Sequence, residues 1–375
     1  MTGALIAQAF ASAGIATAVL EAAAVGRGST AASSALLLQE TDVELTQLIE
    51  RYGPRAGRRI WRLGQESVGA LVALLTRLRI RCDLTTRDAI YYARDGEGAE
   101  RLRREFNRRR RAGFEAEWLT SGALRHTTGI SGRCAIRTHG NAQFDPYRAC
   151  IGMLRSAATA GAEIFERSAV RHIDAARDRV RIRTRGGILD ARRVIIATGY
   201  ATPQFRPLAG RFRMYRTYVL ATEPIGAAQR DDLGLSDVMV WDTARPYHYA
   251  RWTSDRRLLL GGGDRPVRPG AGRRRQFQSA AAELRGYFES LFPALTTIET
   301  TSAWDGLFAL TPDSLPYVGP HRRYPAHWFA LGYGGNGMTF GILAARLLLE
   351  RWHGVTSQDQ HLFTFDRMTR ASSAS

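Results

Sequence analysis

Four glycines within six residues give this sequence its strongest signal for binding an anion. The segment GYGGNG (332–337) follows an apolar, strand-like run at 329–332 and precedes a helical pattern at 338–352. Glycine lets backbone N–H groups approach a ligand closely, and a helix presents its positive end at its first turn. The spacing therefore predicts a loop that binds a negatively charged group, with a simple helix-capping loop as the alternative.

The start of the chain carries part of a dinucleotide-binding pattern. That pattern runs strand, glycine-rich turn, helix, second strand and, roughly 20 residues after the glycines, an acidic residue. Here residues 3–13 predict the helix, residues 15–20 predict the second strand, and Glu21 is the acid. The first strand and two of the glycines would lie before Met1, so we expect an N-terminally truncated chain. An ordinary helix and strand that end in Glu21 are the alternative.

The remaining elements must bring these two distant ends together. Apolar periodicity predicts helices at 41–78, 100–112, 145–160 and 276–292, and strands at 90–93, 168–173, 179–184 and 194–197. Four more strands, expected to be antiparallel neighbours, fall between 214 and 263, and the GGGD segment at 261–264 is expected to form a turn. This order predicts a split α/β domain with an inserted mixed domain.

The composition argues against several kinds of chemistry. All 53 basic residues are arginine, so no lysine amine can form a Schiff base. The three cysteines, Cys82, Cys134 and Cys150, form no CxxC pair, which favours reduced thiols and a cytoplasmic location. The eight histidines show no metal-ligand spacing, and no apolar run reaches the roughly 20 residues that span a bilayer. We therefore expect no metal site and no transmembrane segment.

An arginine-rich stretch at 101–113 raises the alternative of a nucleic-acid-binding module, since the net charge is +18. Apart from Phe106 the stretch holds no aromatic residue that could stack on a base. Glutamates lie within it and on both sides of it, at positions 100, 105, 115 and 117. The pattern favours a solvated helix face and no specific nucleic-acid partner.

Five features in a fixed order resemble the FAD-dependent oxidoreductases of the D-amino-acid oxidase type, which include glycine oxidase, sarcosine oxidase and gamma-glutamylputrescine oxidase-like members. They are TGALIA with VLEA, GRGSTAASSALL, AVRHI, VIIATGY, and the pair WDGLFALTPDSLPYVGP and GYGGNGMTFG. The resemblance implies an α/β fold: a Rossmann-like FAD/NAD(P)-binding domain, without its first strand, carrying an inserted α+β substrate domain with an antiparallel sheet. The expected limits are 1–80, 140–208 and 300–375 for the FAD domain, and 81–139 and 209–299 for the substrate domain.

The resemblance also implies which residues contact FAD. It places Glu21 on the adenosine ribose, Val170 beside the adenine and Gly199 at the crossover between the domains. The full set of expected FAD-binding residues is Gly3, Glu21, Ala22, Ser29, Thr30, Ser34, Ala35, Leu36, Val170, Gly199, Gly334, Gly335, Asn336, Gly337, Met338 and Thr339. Members with covalent flavin use a cysteine before the TPD segment or a histidine in the GSTAAS loop. Neither is present, so we expect non-covalent FAD.

The chemistry implied by the resemblance is oxidation of a C–N bond in an amine or amino-acid-like substrate by hydride transfer to flavin. Glycine-oxidase-like members hold the substrate carboxylate with arginines where this chain has Phe308 and Gly335, which favours an amine whose charged group lies farther away. Tyr249 and Arg251, in PYHYARW, are expected to face the substrate, with a solvated sheet surface as the alternative. The electron acceptor is oxygen or another acceptor. A catalytically impaired, truncated homologue is the competing hypothesis.

Overall fold

The computed structural model describes residues 1–176, 178–268, 270 and 272–367. Its helices are α1 Thr2–Ser12, α2 Ser29–Ala32, α3 Leu45–Arg77, α4 Gly96–Arg111, α5 Ser121–Thr128, α6 Pro146–Thr159, α7 Arg206–Ala209, α8 Ala227–Asp232, α9 Arg273–Leu291, α10 Gly337–Trp352 and α11 Gln358–His361. Its strands are β1 Ala18–Leu20, β2 Leu36–Leu37, β3 Thr85–Ala93, β4 Glu117–Thr120, β5 Cys134–Gln143, β6 Glu163–Phe165, β7 His172–Ala175, β8 Val180–Arg183, β9 Ile188–Ala191, β10 Val194–Gly199, β11 Arg213–Thr222, β12 Met239–Asp242, β13 His248–Trp252, β14 Leu258–Pro266, β15 Thr300–Leu310, β16 Tyr317–His321 and β17 Tyr324–Leu331.

Parallel strand pairs from distant parts of the chain form one side of the molecule. β1 pairs in parallel with β6, and β10 pairs in parallel with β17, whose other neighbour is the antiparallel β16. The last six residues of β17 are all buried, as expected for a strand covered on both faces. Helices α1, α3, α6 and α10 pack into one apolar core with these strands. This packing brings the two ends of the chain together.

A nine-stranded sheet forms the other side. Its order is β15-β11-β14-β13-β12-β3-β5-β2, with β4 beside β5, and every pair is antiparallel except β12 with β3. The four neighbouring antiparallel strands expected between 214 and 263 are therefore confirmed as β11 to β14. Helix α9 packs on this sheet around Leu284 and Phe288. The short strand β2 carries the chain out of α2 and into this sheet.

The limits of the two domains stay a prediction, and one of them needs adjustment. β15 begins at Thr300, inside the range expected for the FAD domain, yet it pairs with β11 along almost its whole length. We propose that the substrate domain extends to about residue 310. β7, β8 and β9 form a separate antiparallel sheet.

One local expectation was wrong, and one expected helix has slightly different limits. The GGGD segment does not form a turn, because residues 261–264 lie inside β14, where Gly262 (φ 131°) and Gly263 (φ 62°) bend the strand. The helix expected from residue 41 begins at Leu45, and it is interrupted at Gly53 (φ 78°) next to Pro54. Proline cannot donate the backbone hydrogen bond that a helix interior needs.

The arginine-rich helix α4 is not simply a solvated face. Arg109 and Glu105 are buried, with their closest atoms 2.8 Å apart, and Arg109 also lies 3.2 Å from buried Glu40. Glu105 accepts the N–H groups of Leu45 and Thr46, each at 3.0 Å, and so caps the start of α3. Part of the arginine-rich pattern therefore reflects a buried ion pair that joins α4 to α3.

Candidate active site

Residues from both ends of the chain line one cavity of about 370 Å³. Glu21, at the end of β1, and Asn336, before α10, both line it although 315 residues separate them (336 − 21). The wall also includes residues of the α2 loop, of β10, and of strands β11 to β15 of the large sheet. A cavity of this size where two sheets meet is typical of a small-molecule or cofactor site.

The predicted glycine loop forms one wall, and its shape depends on glycine. Gly332 (φ 79°) and Gly334 (φ 58°) adopt left-handed backbone conformations that favour glycine. The Gly335 N–H donates to Asp42 Oδ2 at 2.6 Å. A Cβ on Gly335 would lie 2.8 Å from both an Asp42 carboxylate oxygen and the Tyr247 hydroxyl. The loop therefore brings the backbone close to a carboxyl group that the sequence did not single out.

The N-terminus of α10 opens onto the cavity without a side-chain cap. Asn336 occupies the N-cap position, but its side chain bonds elsewhere: Oδ1 accepts the Asp42 N–H, and Nδ2 donates to the Glu40 carbonyl, each at 2.9 Å. Gly337, Met338 and Thr339 line the cavity, and the first N–H groups of a helix have no partner within the helix. These donors can bind or stabilise negative charge on a ligand.

The loop that contains α2 forms the opposite wall. Ser29 Oγ donates to the Leu307 carbonyl at 2.6 Å, and Trp304 Nε1 donates to the Ala32 carbonyl at 3.0 Å. These bonds fix the loop against β15. The predicted residues Ser29, Thr30, Ser34, Ala35 and Leu36 all line the cavity, with Ala35 at a positive φ of 54°.

Four predicted residues lie outside the described cavity lining. They are Gly3, Ala22, Val170 and Arg251. Gly3 lies on α1, where a Cβ would approach Ala197 of β10 to 3.7 Å. The carbonyl of Val170 accepts a bond from Gln204. The cavity is lined by the other predicted residues, whose contacts with ligands stay predictions. They are Glu21, Gly199, Gly334, Gly335, Asn336, Gly337, Met338, Thr339, Tyr249 and Phe308.

Arg251 is buried behind the wall that it was expected to line. Its Nε donates to the Ser34 carbonyl, and its Nη1 lies 3.4 Å from the Trp252 carbonyl. Burial lowers the pKa of its guanidinium to about 10, against the opposing effect of Asp145. This placement suits a residue that positions the 33–36 loop, and its expected contact with the substrate stays a prediction.

Three aromatic rings of the large sheet and the loop before β13 line another part of the cavity. Tyr247 lies between Trp241 and Tyr249, with ring centroids 6.3 Å and 6.0 Å away. The Tyr249 hydroxyl lies 3.3 Å from Thr217 Oγ1, and burial raises its pKa to about 12. Burial also raises the pKa of Tyr247, well above its usual value. Both phenols therefore stay neutral at physiological pH and can donate hydrogen bonds.

Two carboxyl groups in the cavity were missed by sequence reasoning. Burial raises the pKa of Asp42 to about 6, although the Gly335 N–H, Arg245 and Tyr247 oppose this. Burial and the negative charge of Asp42 raise the pKa of Asp264 to about 6 as well. Asp264 ends the GGGD segment, which the sequence analysis assigned to a turn, and its actual place in β14 brings it to the cavity. The position of Asp42 depends on its contact with a loop 293 residues away (335 − 42).

The fold is α/β, with a cavity between the parallel-strand region and the nine-stranded sheet. Residues 1–351 match the family model described as DAO: FAD dependent oxidoreductase. The chain therefore belongs to this family of FAD-dependent oxidoreductases.

Characterised relatives span most of the chain. It is 27% identical over 356 residues to gamma-glutamylputrescine oxidoreductase of Escherichia coli (strain K12), covering 94% of this chain and 82% of the relative. It is 24% identical over 337 residues to glycine oxidase of Geobacillus kaustophilus (strain HTA426), covering 89% of this chain and 85% of the relative. These matches cover both predicted domains.

Solved structures share the fold. The crystal structure of glycine oxidase from Geobacillus kaustophilus matches with a TM-score of 0.80 at 22% identity, over 95% of this chain and 92% of that one. The structure of L-proline dehydrogenase from P. horikoshii also matches with a TM-score of 0.80, at 19% identity, over 98% of this chain and 95% of that one. The expected FAD-binding α/β fold with an inserted sheet domain is therefore confirmed.

The residues of this cavity fit FAD. The glycine loop provides a cradle that a side chain at Gly335 would fill, and the uncapped start of α10 offers donors for a negatively charged ring system. Glu21 Oε1 accepts the Ala23 N–H at 2.9 Å, which leaves Oε2 available for ribose hydroxyls. No helix among the described residues has the length and apolar character needed to cross a bilayer, and no described group of three His, Cys, Asp or Glu residues could hold a metal ion.

Proposed function

We propose that this chain is an FAD-dependent oxidoreductase that oxidises the C–N bond of an amine. The observation that carries the proposal is the shared cavity: the glycine loop and the α10 N-terminus meet Glu21 and the α2 loop beside an aromatic substrate wall. When bound, FAD would supply the acceptor for the hydride that leaves the carbon next to the amine nitrogen. The nitrogen gives up a proton, and the resulting imine reacts with water to yield a carbonyl compound and a free amine or ammonia.

The protein's own residues hold and orient the reactants. The uncapped N–H groups at residues 337–339 would stabilise negative charge on the cofactor. The neutral hydroxyls of Tyr247 and Tyr249 can donate to the substrate, and the rings around them exclude water from it. Non-covalent FAD stays part of the proposal, supported by a described cavity lining that contains no cysteine or histidine. A cytoplasmic location is supported by three free, buried cysteines.

Anaerobic spectroscopy tests the proposal directly. The protein is purified with FAD, washed free of unbound cofactor, and mixed with a panel of amines and amino acids without oxygen. We expect the bound flavin to be bleached by at least one amine. A bound flavin that no amine or amino acid reduces would contradict the proposal. Peroxide formation after air is admitted then distinguishes an oxidase from a dehydrogenase.

A further inference from the structure

The charged side chains that line the cavity all have the same sign. The chain has a net charge of +18 and 53 arginines, yet its described lining contains no arginine or histidine side chain. The lining holds four carboxyl groups instead, those of Glu21, Glu40, Asp42 and Asp264. A cavity with this bias attracts cations and repels carboxylates.

Two of these carboxyl groups have no cationic partner in the part of the chain that the structure describes. Glu21 lies at the end expected to hold the cofactor, and Glu40 is paired with Arg109 at 3.2 Å. Asp42 and Asp264 take part in no salt bridge among the described residues. Among the described residues, Arg245 acts on Asp42 and His248 acts on Asp264, neither of them through a salt bridge with that carboxyl group.

Two carboxylate oxygens of residues in the cavity lining have no hydrogen-bond partner among the described residues, which favours a ligand that donates hydrogen bonds. Glu40 is 2% exposed, and its Oε2 has no hydrogen-bond partner among the described residues. Asp264 Oδ1 is also buried without a partner in that part of the chain. A buried acceptor without a hydrogen-bond partner lowers the stability of the folded protein unless a ligand donates a hydrogen bond to it. Both atoms are carboxylate oxygens, whose best partner is a charged N–H donor.

The aromatic rings beside these carboxyl groups complete a site for an ammonium ion. Tyr247 lies against Asp42, since a Cβ on Gly335 would meet both side chains at 2.8 Å. The ring of Trp241 is 5% exposed and lies edge-to-face with Tyr247, and Tyr249 follows on the other side. The faces of such rings attract ammonium groups. We call Asp42, Asp264, Trp241, Tyr247 and Tyr249 the acidic cage.

We propose, resting on the amine oxidation proposed above, that the acidic cage binds a second ammonium group of the substrate. The preferred substrates are then diamines or longer polyamines, with one nitrogen anchored and another oxidised. A simple α-amino acid is disfavoured because the four charged side chains in the described lining of this cavity are all carboxylates and would repel its own carboxylate.

The anchored nitrogen cannot be the one that is oxidised. The carbon next to an amine nitrogen gives up hydride only when that nitrogen carries a free electron pair to form the C=N bond, so the reacting amine must first lose its proton. Two neighbouring carboxylates favour the charged form of an ammonium group and keep it protonated. The acidic cage therefore stabilises an ammonium group that does not react, and a substrate that is oxidised needs a second amine.

A matched set of substrates tests this specificity on the FAD-loaded enzyme. Diamines of three to six carbons are compared with the monoamine and the ω-amino acid of the same length, such as 1,4-diaminobutane, n-butylamine and 4-aminobutanoate. A hydrogen bond to a charged group is worth about 1.5–3 kcal/mol. We therefore expect kcat/KM for the best diamine to exceed that of its monoamine by about 10–100-fold, and the ω-amino acid to be poorer than either.

Variants connect the preference to the cage. Asp264→Asn and, separately, Asp42→Asn are expected to lower the diamine-to-monoamine ratio of kcat/KM by at least about tenfold. Asp231→Asn on α8, which is exposed, removes the same charge at a distance and is expected to leave the ratio unchanged. If Asp42→Asn fails to fold because it loses the Gly335 bond, Asp264→Asn still decides the question.

A binding measurement provides a readout that does not depend on turnover. The dication 1,4-bis(trimethylammonio)butane has no N–H group, and calorimetry with the FAD-loaded enzyme measures its Kd. We expect Asp264→Asn to weaken this binding by at least about tenfold and Asp231→Asn to leave it unchanged.

Distinct results separate the two proposals. Equal use of monoamines and diamines, or a preference for ω-amino acids, would overturn the acidic cage and leave amine oxidation standing. A bound flavin that none of these compounds and no common amino acid reduces would instead contradict the proposed function.

Discussion

Asp264 carries a charge that the described residues do not neutralise. Burial raises its pKa from the usual 3.8 to about 6, so ionisation costs more in the folded protein than in the unfolded chain. This penalty grows as the pH rises from about 4 to about 6 and stays constant above that. At 1.36 kcal/mol per pH unit it reaches roughly 3 kcal/mol. We therefore expect Asp264→Asn to increase the free energy of unfolding by about 1–3 kcal/mol at pH 8, measured by urea denaturation.

The control for this prediction is again Asp231→Asn. Its side chain is exposed, and exposed substitutions usually change stability by no more than about 0.5 kcal/mol. An Asp264→Asn variant less stable than the native protein at pH 8 would show that Asp264 has a stabilising partner, and the burial argument would be wrong.

The carboxyl groups of Asp42 and Asp264 set a pH dependence for the binding of a dication to the acidic cage. Asp42 faces Arg245, Tyr247 and the Gly335 N–H, and Asp264 faces Asp42 and His248. With both pKa values raised to about 6, the acidic cage is ionised above pH 6 and loses its charge below it. We expect the Kd of 1,4-bis(trimethylammonio)butane to rise at least about tenfold between pH 8 and pH 5, measured by calorimetry. A Kd that does not change over this range would contradict the assignment.

At the scale of elements, the loop before α10 depends on one close approach. A Cβ on Gly335 would lie 2.8 Å from an Asp42 oxygen and from the Tyr247 hydroxyl, and overpacking of this kind costs about 1–3 kcal/mol. Gly337→Ala is a matched control, since its Cβ would lie 3.9 Å from the nearest described side chain. We expect Gly335→Ala to lower the free energy of unfolding by that amount and Gly337→Ala to lower it by less than about 0.5 kcal/mol. Equal losses of stability in Gly335→Ala and Gly337→Ala would show that the loop can shift to accommodate a Cβ at Gly335 without strain.

The junction between α4 and α3 supports the cavity from behind. Glu105 is fully buried, pairs with Arg109 and caps the start of α3. Burial raises the pKa of Glu105, but the charge and hydrogen bond of Arg109 and the hydrogen bonds from Thr46 together outweigh this and leave the pKa below its usual value. Removing one partner of a buried ion pair costs about 3–5 kcal/mol.

We therefore expect Glu105→Gln to reduce stability by about 3 kcal/mol or more in thermal or urea unfolding. Exposed Glu115 provides the control, and Glu115→Gln is expected to have no measurable effect. A Glu105→Gln variant as stable as the Glu115→Gln variant would mean that the buried pair contributes nothing to the α3–α4 junction.

Local patterns were enough to predict the frame of the site. The glycine loop, the helix after it and Glu21 each follow from spacing within about 20 residues, and the structure places Glu21 and Asn336 on one cavity. Strand alternation in the segment PYHYARW also led to Tyr249, on β13, which lines the cavity. The same alternation suggested that Arg251 faces the substrate, but the cavity ends before it, and its guanidinium turns to the Ser34 carbonyl.

Long-range pairing determines the parts that the sequence did not reveal. Asp264 reaches the cavity because β14 pairs with both β11 and β13, a register that local periodicity does not specify. Asp42 reaches it through its bond to the Gly335 N–H. Glu105 and Arg109 are charged residues in a strongly basic helix, where local patterns predict exposure. Their burial depends on Glu40, which lies 65 positions before Glu105 in the sequence (105 − 40) and pairs with Arg109.

At the scale of the whole molecule, the account requires that both ends of the chain close around one cofactor. The most direct measurement is an anaerobic titration of the protein after gel filtration with FAD. We predict about one FAD retained per chain and full reduction of that flavin by one equivalent of an amine substrate, with the matching carbonyl compound formed. A protein that retains no FAD, or retains FAD that no amine or amino acid reduces, would contradict the account.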